Sequence, residues 1–142
     1  MSFPAKRLLM NLTNAQLAFV LGRLLMGVNF LMHGLARLPK LAAFRAGLVK
    51  SFADTWLPGP LVGAFATVLP VLEFSVGLLL LLGLFTRWAL VGGLLVLLAL
   101  VFGSSLREQW DTLGTQLVHG LFFYLLLLHA DQNRLCLDRT SR

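Results

Sequence analysis

The sequence predicts an all-α integral membrane protein, a four-helix bundle, and three observations carry that prediction. Hydrophobic residues make up 58% of the 142 positions and charged residues only 13%, about half the charged share of an ordinary soluble domain. Mean hydropathy is +0.83. Four apolar stretches, each close to the roughly 20 residues needed to cross a bilayer, are separated by short polar or Pro/Gly-containing breaks. The length suits one domain over residues 1–142 and leaves no room for a soluble catalytic module beside the bundle.

Each element has a local reason. The first helix is expected over Ala15–Leu35, with Thr13 and Asn14 as candidate N-caps. Pro58-Gly59-Pro60 ends whatever precedes it and resets the chain for a second helix over Leu61–Leu84. A tight turn from Gly83 to Arg87 makes that helix an antiparallel neighbour of a third, Trp88–Leu106. The polar run Arg107-Glu108-Gln109-Trp110-Asp111 precedes a fourth helix, Leu113–Ala130, and Trp110 suits the membrane interface. In the long connection between the first two spans, Leu41, Phe44, Leu48, Phe52 and Trp56 recur at helical spacing with Lys40, Lys50 and Asp54 opposite. That pattern predicts a separate amphipathic interfacial helix over residues 41–56. Arg45 falls on its apolar side, where it either snorkels to head groups or faces a cavity beneath the helix.

Charge and cysteine usage exclude several classes. The net charge of +6 is dispersed, with no run of like charges and no nucleic-acid-binding module, so the basic residues are read as contacts to anionic lipid. Cys136 is the only cysteine, which excludes an internal disulfide and a CxxC pair and leaves it as a small residue near the last helix end. Lys6-Arg7 resembles the start of a signal peptide, but the apolar run from Ala15 to Met32 is long for one and no small-residue cleavage site follows, so the first helix is expected to be retained. Four spans put both termini on one side, with Lys6, Arg7, Arg87, Arg134, Arg139 and Arg142. The opposite side carries Arg37, Lys40, Arg45, Lys50 and Arg107. The small excess leans towards cytoplasmic termini.

Ionisable groups at membrane depth cost roughly 2.5–3.5 kcal/mol each on insertion scales, so they mark functional candidates. Arg23, Glu73 and His119 lie within spans, and His33 lies towards the far end of the first. At about 100° per residue, Arg23, Phe30, His33 and Arg37 share one face of the first helix, within an arc of roughly 80°. Glu73, which follows Pro70, needs a cation. Arg23 is the expected partner, in a pair that either fixes helix packing or also lines a small-molecule or proton-coupled site. His119 shares a face with Gln116 and Phe123. It is either a packing residue or a hydrogen-bond donor and proton relay for a quinone carbonyl. Haem is disfavoured, because His33 and His119 have no further support as an axial pair, and no metal site is expected. His129 is placed at the interface. Gly22, Gly27, Gly77, Gly92-Gly93 and Gly120 allow close helix approach. Arg23, Glu73 and His119 are the candidate catalytic groups, with Phe30, His33, Arg37, Gln116 and Phe123 as candidate cofactor-binding residues for a quinone.

Taken in order, Leu21-Gly22-Arg23, Phe30-Leu31-Met32-His33-Gly34, Arg37-Leu38, Glu73-Phe74-Ser75-Val76-Gly77 and Leu82-Gly83-Leu84-Phe85-Thr86-Arg87 resemble the DoxX family of small bacterial four-helix membrane proteins. Arg37 stands where that family usually has lysine. The tail Asn133-Arg134-Leu135-Cys136-Leu137-Asp138-Arg139 is similar to the ending of the DoxD-type small subunit of thiosulfate:quinone oxidoreductase, with Asn133 in place of a glycine. The resemblance implies a bacterial inner-membrane protein, multi-pass, that engages the quinone pool with a partner oxidoreductase subunit acting on a small sulfur compound. The chain itself has no Gly-rich dinucleotide motif, CxxC pair or iron–sulfur spacing. The alternative is a non-enzymatic scaffold or assembly factor for a partner oxidoreductase. Transport ranks last, since four short helices leave little lumen without a homo-oligomer.

Overall fold

The computed structural model describes residues 12–137; Lys6, Arg7, Asp138, Arg139 and Arg142 lie outside them. The helices are α1 (Asn14–Arg37), α2 (Leu41–Ser51), α3 (Gly59–Leu82), α4 (Thr86–Leu106) and α5 (Trp110–Leu128). Short 3-10 turns occupy Leu38–Lys40 and Ala130–Gln132. Four helical stretches are long and apolar enough to cross a membrane: Asn14–Ser51, Gly59–Leu82, Thr86–Leu106 and Trp110–Leu128. The protein is an all-α, multi-pass, membrane-spanning four-helix bundle. Helices α1, α3, α4 and α5 begin and end within three residues of the four predicted spans, although helical structure in the first continues on to Ser51. Thr13 is the N-cap of α1, and its hydroxyl accepts from Gln16 N while the Gln16 side chain accepts from Thr13 N. Asn14 is already helical.

The separate interfacial helix expected over residues 41–56 is not seen. Helical structure runs from Asn14 to Ser51 as a single 38-residue stretch. Pro39 causes no break because it sits at the start of the 3-10 turn, where a proline needs no amide partner. The Leu38 amide still donates to Gly34 O. Lys40 departs from helical geometry (φ −114°, ψ 24°) at the junction, and α2 is an arm continuing α1. The arm ends at Ser51, five residues short of Trp56. It packs on α3, where Arg45 lies across Gly63.

Glycines set the register of the antiparallel pair α1–α3. A Cβ at Gly77 would lie 2.2 Å from Leu31 N and 2.8 Å from Gly27 O, and one at Gly34 would lie 2.6 Å from Phe74 N. Only a residue without a side chain permits such an approach. Residues 27, 31 and 34 of α1 therefore stand beside 81, 77 and 74 of α3. Paired numbers add to roughly 108, as two helices of equal rise running in opposite directions require. α1 packs chiefly on α3 and α5 chiefly on α4, whereas α1 and α5 meet over a shorter stretch. Large apolar residues such as Leu21, Leu25, Leu95, Leu98 and Leu121 point outward, as lipid-facing side chains do.

Candidate functional site

The register decides which cation reaches Glu73. Its carboxylate is 4% exposed and lies level with the end of α1, where Arg37 Nη1 donates to both of its oxygens. The expected Arg23–Glu73 pair is not formed, because Arg23 lies fourteen residues, or about 21 Å of helix, from Arg37. A helical-wheel arc says which residues share a face but not which share a level. Arg23 stands instead beside the Gly83 turn, 2% exposed. Its Nη1 donates to Asn133 Oδ1 at 2.9 Å and its Nη2 to Leu135 O. Asn133 in turn donates from Nδ2 to Thr86 Oγ1 at 3.0 Å. Gly83, with φ +64°, is needed twice over: a Cβ there would be strained and would strike both Arg23 Nη1 and the Cys136 backbone. This end is a clasp that ties the tail to the bundle.

The opposite end holds a cavity of about 260 Å³ between α1, α3, α4 and α5. It is lined by His33 and Arg37 from α1, Glu73 from α3, and Gln116 and His119 from α5. Phe30 forms an aromatic wall, and the Phe123 ring packs behind it at 4.7 Å between centroids. Phe123 fits because Gly93 leaves a slot for it. Six predicted site residues thus line one space, Phe123 supports it, and Arg23 belongs elsewhere. Three further polar lining residues, Asn29, Thr112 and Thr115, were missed, as were Leu97 and Leu100 of α4. The signal was present: Thr112, Thr115, Gln116 and His119 recur at three- and four-residue spacing, and Asn29 lies one turn before His33. Arg45 lies outside the cavity, over Gly63.

Arginines fix the arm above this cavity. The Arg37 guanidinium sits 5.0 Å from the centre of the Phe44 ring of α2, and Arg107 stacks on Phe52 at 4.8 Å. Arg107 Nη1 also donates to Ser51 Oγ at 3.1 Å. Partial burial draws the Arg107 pKa below its ordinary value, though a guanidinium remains charged near pH 7. Arg37 therefore touches both the arm and the cavity carboxylate. Among the described residues no cluster of three or more His, Cys, Asp or Glu side chains has metal-site geometry.

The family model for DoxX matches residues 18–104, from within α1 to near the end of α4. The chain belongs to the DoxX family. The match takes in Arg23, Phe30, His33, Arg37 and Glu73 of this DoxX protein, while Gln116, His119 and the tail lie beyond it. It supports membership in the family without selecting the DoxD-type branch. No curated protein and no solved structure matches the chain.

Proposed function

We propose that this DoxX protein is a non-enzymatic membrane subunit of a quinone-linked oxidoreductase system. It anchors a partner oxidoreductase and keeps the head group of the membrane carrier within that partner's reach. The observation that carries this reading is the cavity of Arg37, Glu73, His33, Gln116 and His119 beneath the basic arm. Polar side chains at that depth are costly in lipid unless something uses them. A volume near 260 Å³ is small beside the roughly 300–1,000 Å³ of sites for drug-sized ligands and suits one ring-sized head group. Lys40 and Lys50 are exposed on one side of the arm and offer a basic face to an acidic partner surface or to anionic lipid. A two-electron reaction needs a redox group that this sequence has no motif to hold, and the partner supplies it. The tail's likeness to the DoxD-type ending favours a small sulfur compound as the electron donor, oxidised on that partner. The bacterial inner membrane, with cytoplasmic termini, is the proposed location.

The test has two arms. Quinone is extracted from the protein purified in mild detergent and quantified by mass spectrometry, beside Glu73→Gln. Near-stoichiometric quinone, lost in a variant whose helical spectrum is unchanged, is the expected result; none above the detergent blank removes the carrier role. In cells lacking the chain, quinone-reducing activity of the partner is expected to move from the membrane to the soluble fraction. Activity that stays on the membrane removes the anchoring role.

A further inference from the structure

A second recess, sharing no lining residue with the cavity, lies where the arm ends against α3 and α4. It is a groove of about 240 Å³ with apolar walls, formed by Phe52 and Leu57 after the arm, Leu61 and Phe65 of α3, and Ala99 and Phe102 of α4. Phe52 is buried there because α4 has a glycine opposite it: a Cβ at Gly103 would lie 3.1 Å from Phe52 Cζ. Leu61 and Phe65 stand in the first two turns of α3, and Ala99 and Phe102 in the last two turns of α4. The groove therefore lies just inside the membrane surface, on the side where the arm runs. Leu61, Leu95, Leu98 and Phe102 around it point outward, so its mouth faces lipid and not water.

A guanidinium sits at the rim of this groove with part of its charge unused. Arg107 touches two of the lining residues, stacking on the Phe52 ring at 4.8 Å and donating from Nε to Gly103 O at 3.4 Å. Its Nη1 donates to Ser51 Oγ, and Nη2 has no acceptor among the described residues. Both acceptors it does have are neutral. The exposed carboxylates of Asp54 and Glu108 form no ion pair with it. Lys50, next to Ser51 in the last turn of the arm, is exposed and brings a second cation to the same corner. At the other side of the mouth the Trp56 indole, 72% exposed, lies edge-on to Phe102 with ring centroids 6.3 Å apart. Its N–H donates to nothing among the described residues, as suits an indole at head-group level.

We propose that this groove and Arg107 form a binding site for one anionic phospholipid, with an acyl chain in the groove and the phosphodiester on the free edge of the guanidinium. An apolar slot opening to lipid, capped at head-group depth by an unneutralised arginine, matches the two halves of that molecule. Phosphate oxygens give Nη2 the charge-assisted hydrogen bonds it lacks. A zwitterionic head group would bring its own cation up to Arg107 and Lys50, whereas a net anion brings none. The lipid also braces the arm, because the same guanidinium holds Ser51 and Phe52 at the arm's end. The site is independent of whatever the cavity holds.

The experiment is native mass spectrometry of the full chain, stripped of lipid in detergent and then offered equal amounts of dioleoylphosphatidylglycerol and dioleoylphosphatidylcholine. One phosphatidylglycerol per chain is expected to be retained, about tenfold over phosphatidylcholine, an order-of-magnitude expectation for adding one charge-assisted contact. Arg107→Gln is expected to bring that ratio towards one. Ala99→Trp, which fills the groove and leaves the guanidinium in place, is expected to abolish retention of both lipids. Each variant is checked for an unchanged helical spectrum, and either one alone tests the site if the other does not fold. Inorganic phosphate added in excess should not displace the lipid. Equal retention of the two lipids, or a ratio unmoved by Arg107→Gln, overturns the anionic selectivity. Retention unchanged in Ala99→Trp overturns the seat of the acyl chain. Displacement by inorganic phosphate would assign Arg107 to a free anion. A dimer that forms on lipid removal and is broken by Ala99→Trp would assign the groove to a second copy of the chain, and either result overturns the proposal.

Discussion

The two ends of this bundle solve the same problem in opposite ways. Each buries a charged side chain in a membrane-spanning helix pair, Arg23 at one end and Glu73 at the other. At the Arg23 end the chain supplies its own partners, Asn133 Oδ1 and Leu135 O, and the returning tail covers the guanidinium. At the Glu73 end the partner is Arg37, whose side chain is still 28% exposed, and the space beside the pair is left as a cavity. A buried charge that is closed off by its own chain fixes structure. One whose surroundings stay open, with acceptors such as Gln116 Oε1 unfilled, is arranged for something else to complete.

The sharpest break of this contrast comes from removing one partner of the exposed-end pair at a time. Arg37→Leu strands a carboxylate that is 4% exposed and is expected to cost about 3 kcal/mol or more. Glu73→Gln leaves a guanidinium that can turn to head groups and should cost clearly less. Thermal unfolding in detergent ranks the two, and equal losses would mean that the pair is as closed as the Arg23 clasp. Next in size is Gly77→Val, which drives a side chain into Leu31 N and should cost about 3 kcal/mol by overpacking. Because α1 and α3 carry both ends, it should weaken quinone retention and loosen the tail together, as read by extraction and by protease sensitivity. Asn133→Ala should cost about 1.5–3 kcal/mol, the range for a hydrogen bond to a charged group. It should also expose the tail to carboxypeptidase while leaving quinone content untouched. Loss of quinone in that variant would join the two ends functionally. The smallest effect is expected at Gly47 of the arm, where a Cβ meets nothing within 4 Å. Gly47→Ala should raise stability by up to about 1 kcal/mol through helix propensity alone, measured by the same melts.

Much of this was legible from residue type and spacing. Hydropathy located the four spans, because a chain in lipid must satisfy its backbone within each helix. His33, Arg37, Glu73, Gln116 and His119 stood out because polar groups are rare at such depth, Phe30 because it shares their face of the first helix, and all six line one cavity. The errors were of two kinds. Angular periodicity placed Arg23 and Arg37 on one face of α1 but carried no information about height, and height is set by where Gly27, Gly34 and Gly77 let two backbones touch. The interfacial helix was drawn as a separate element because the spacing of Leu41, Phe44, Leu48, Phe52 and Trp56 read as an amphipathic helix beside a span, whereas Pro39 in the first turn of a 3-10 segment lets the first helix continue into it. The clasp was missed altogether. Asn133 lies 110 residues from Arg23, and neither residue's neighbours advertise the other.

The most direct test of the division between the two ends is a pair of double-mutant cycles on unfolding free energy in detergent. One combines Arg37→Gln with Glu73→Gln, and the other combines Arg23→Gln with Glu73→Gln. A coupling of about 1–3 kcal/mol in the first cycle and additivity within about 0.5 kcal/mol in the second are the expected results. Coupling between Arg23 and Glu73, with Arg37 and Glu73 additive, would contradict the assignment of Glu73 to the cavity and of Arg23 to the tail.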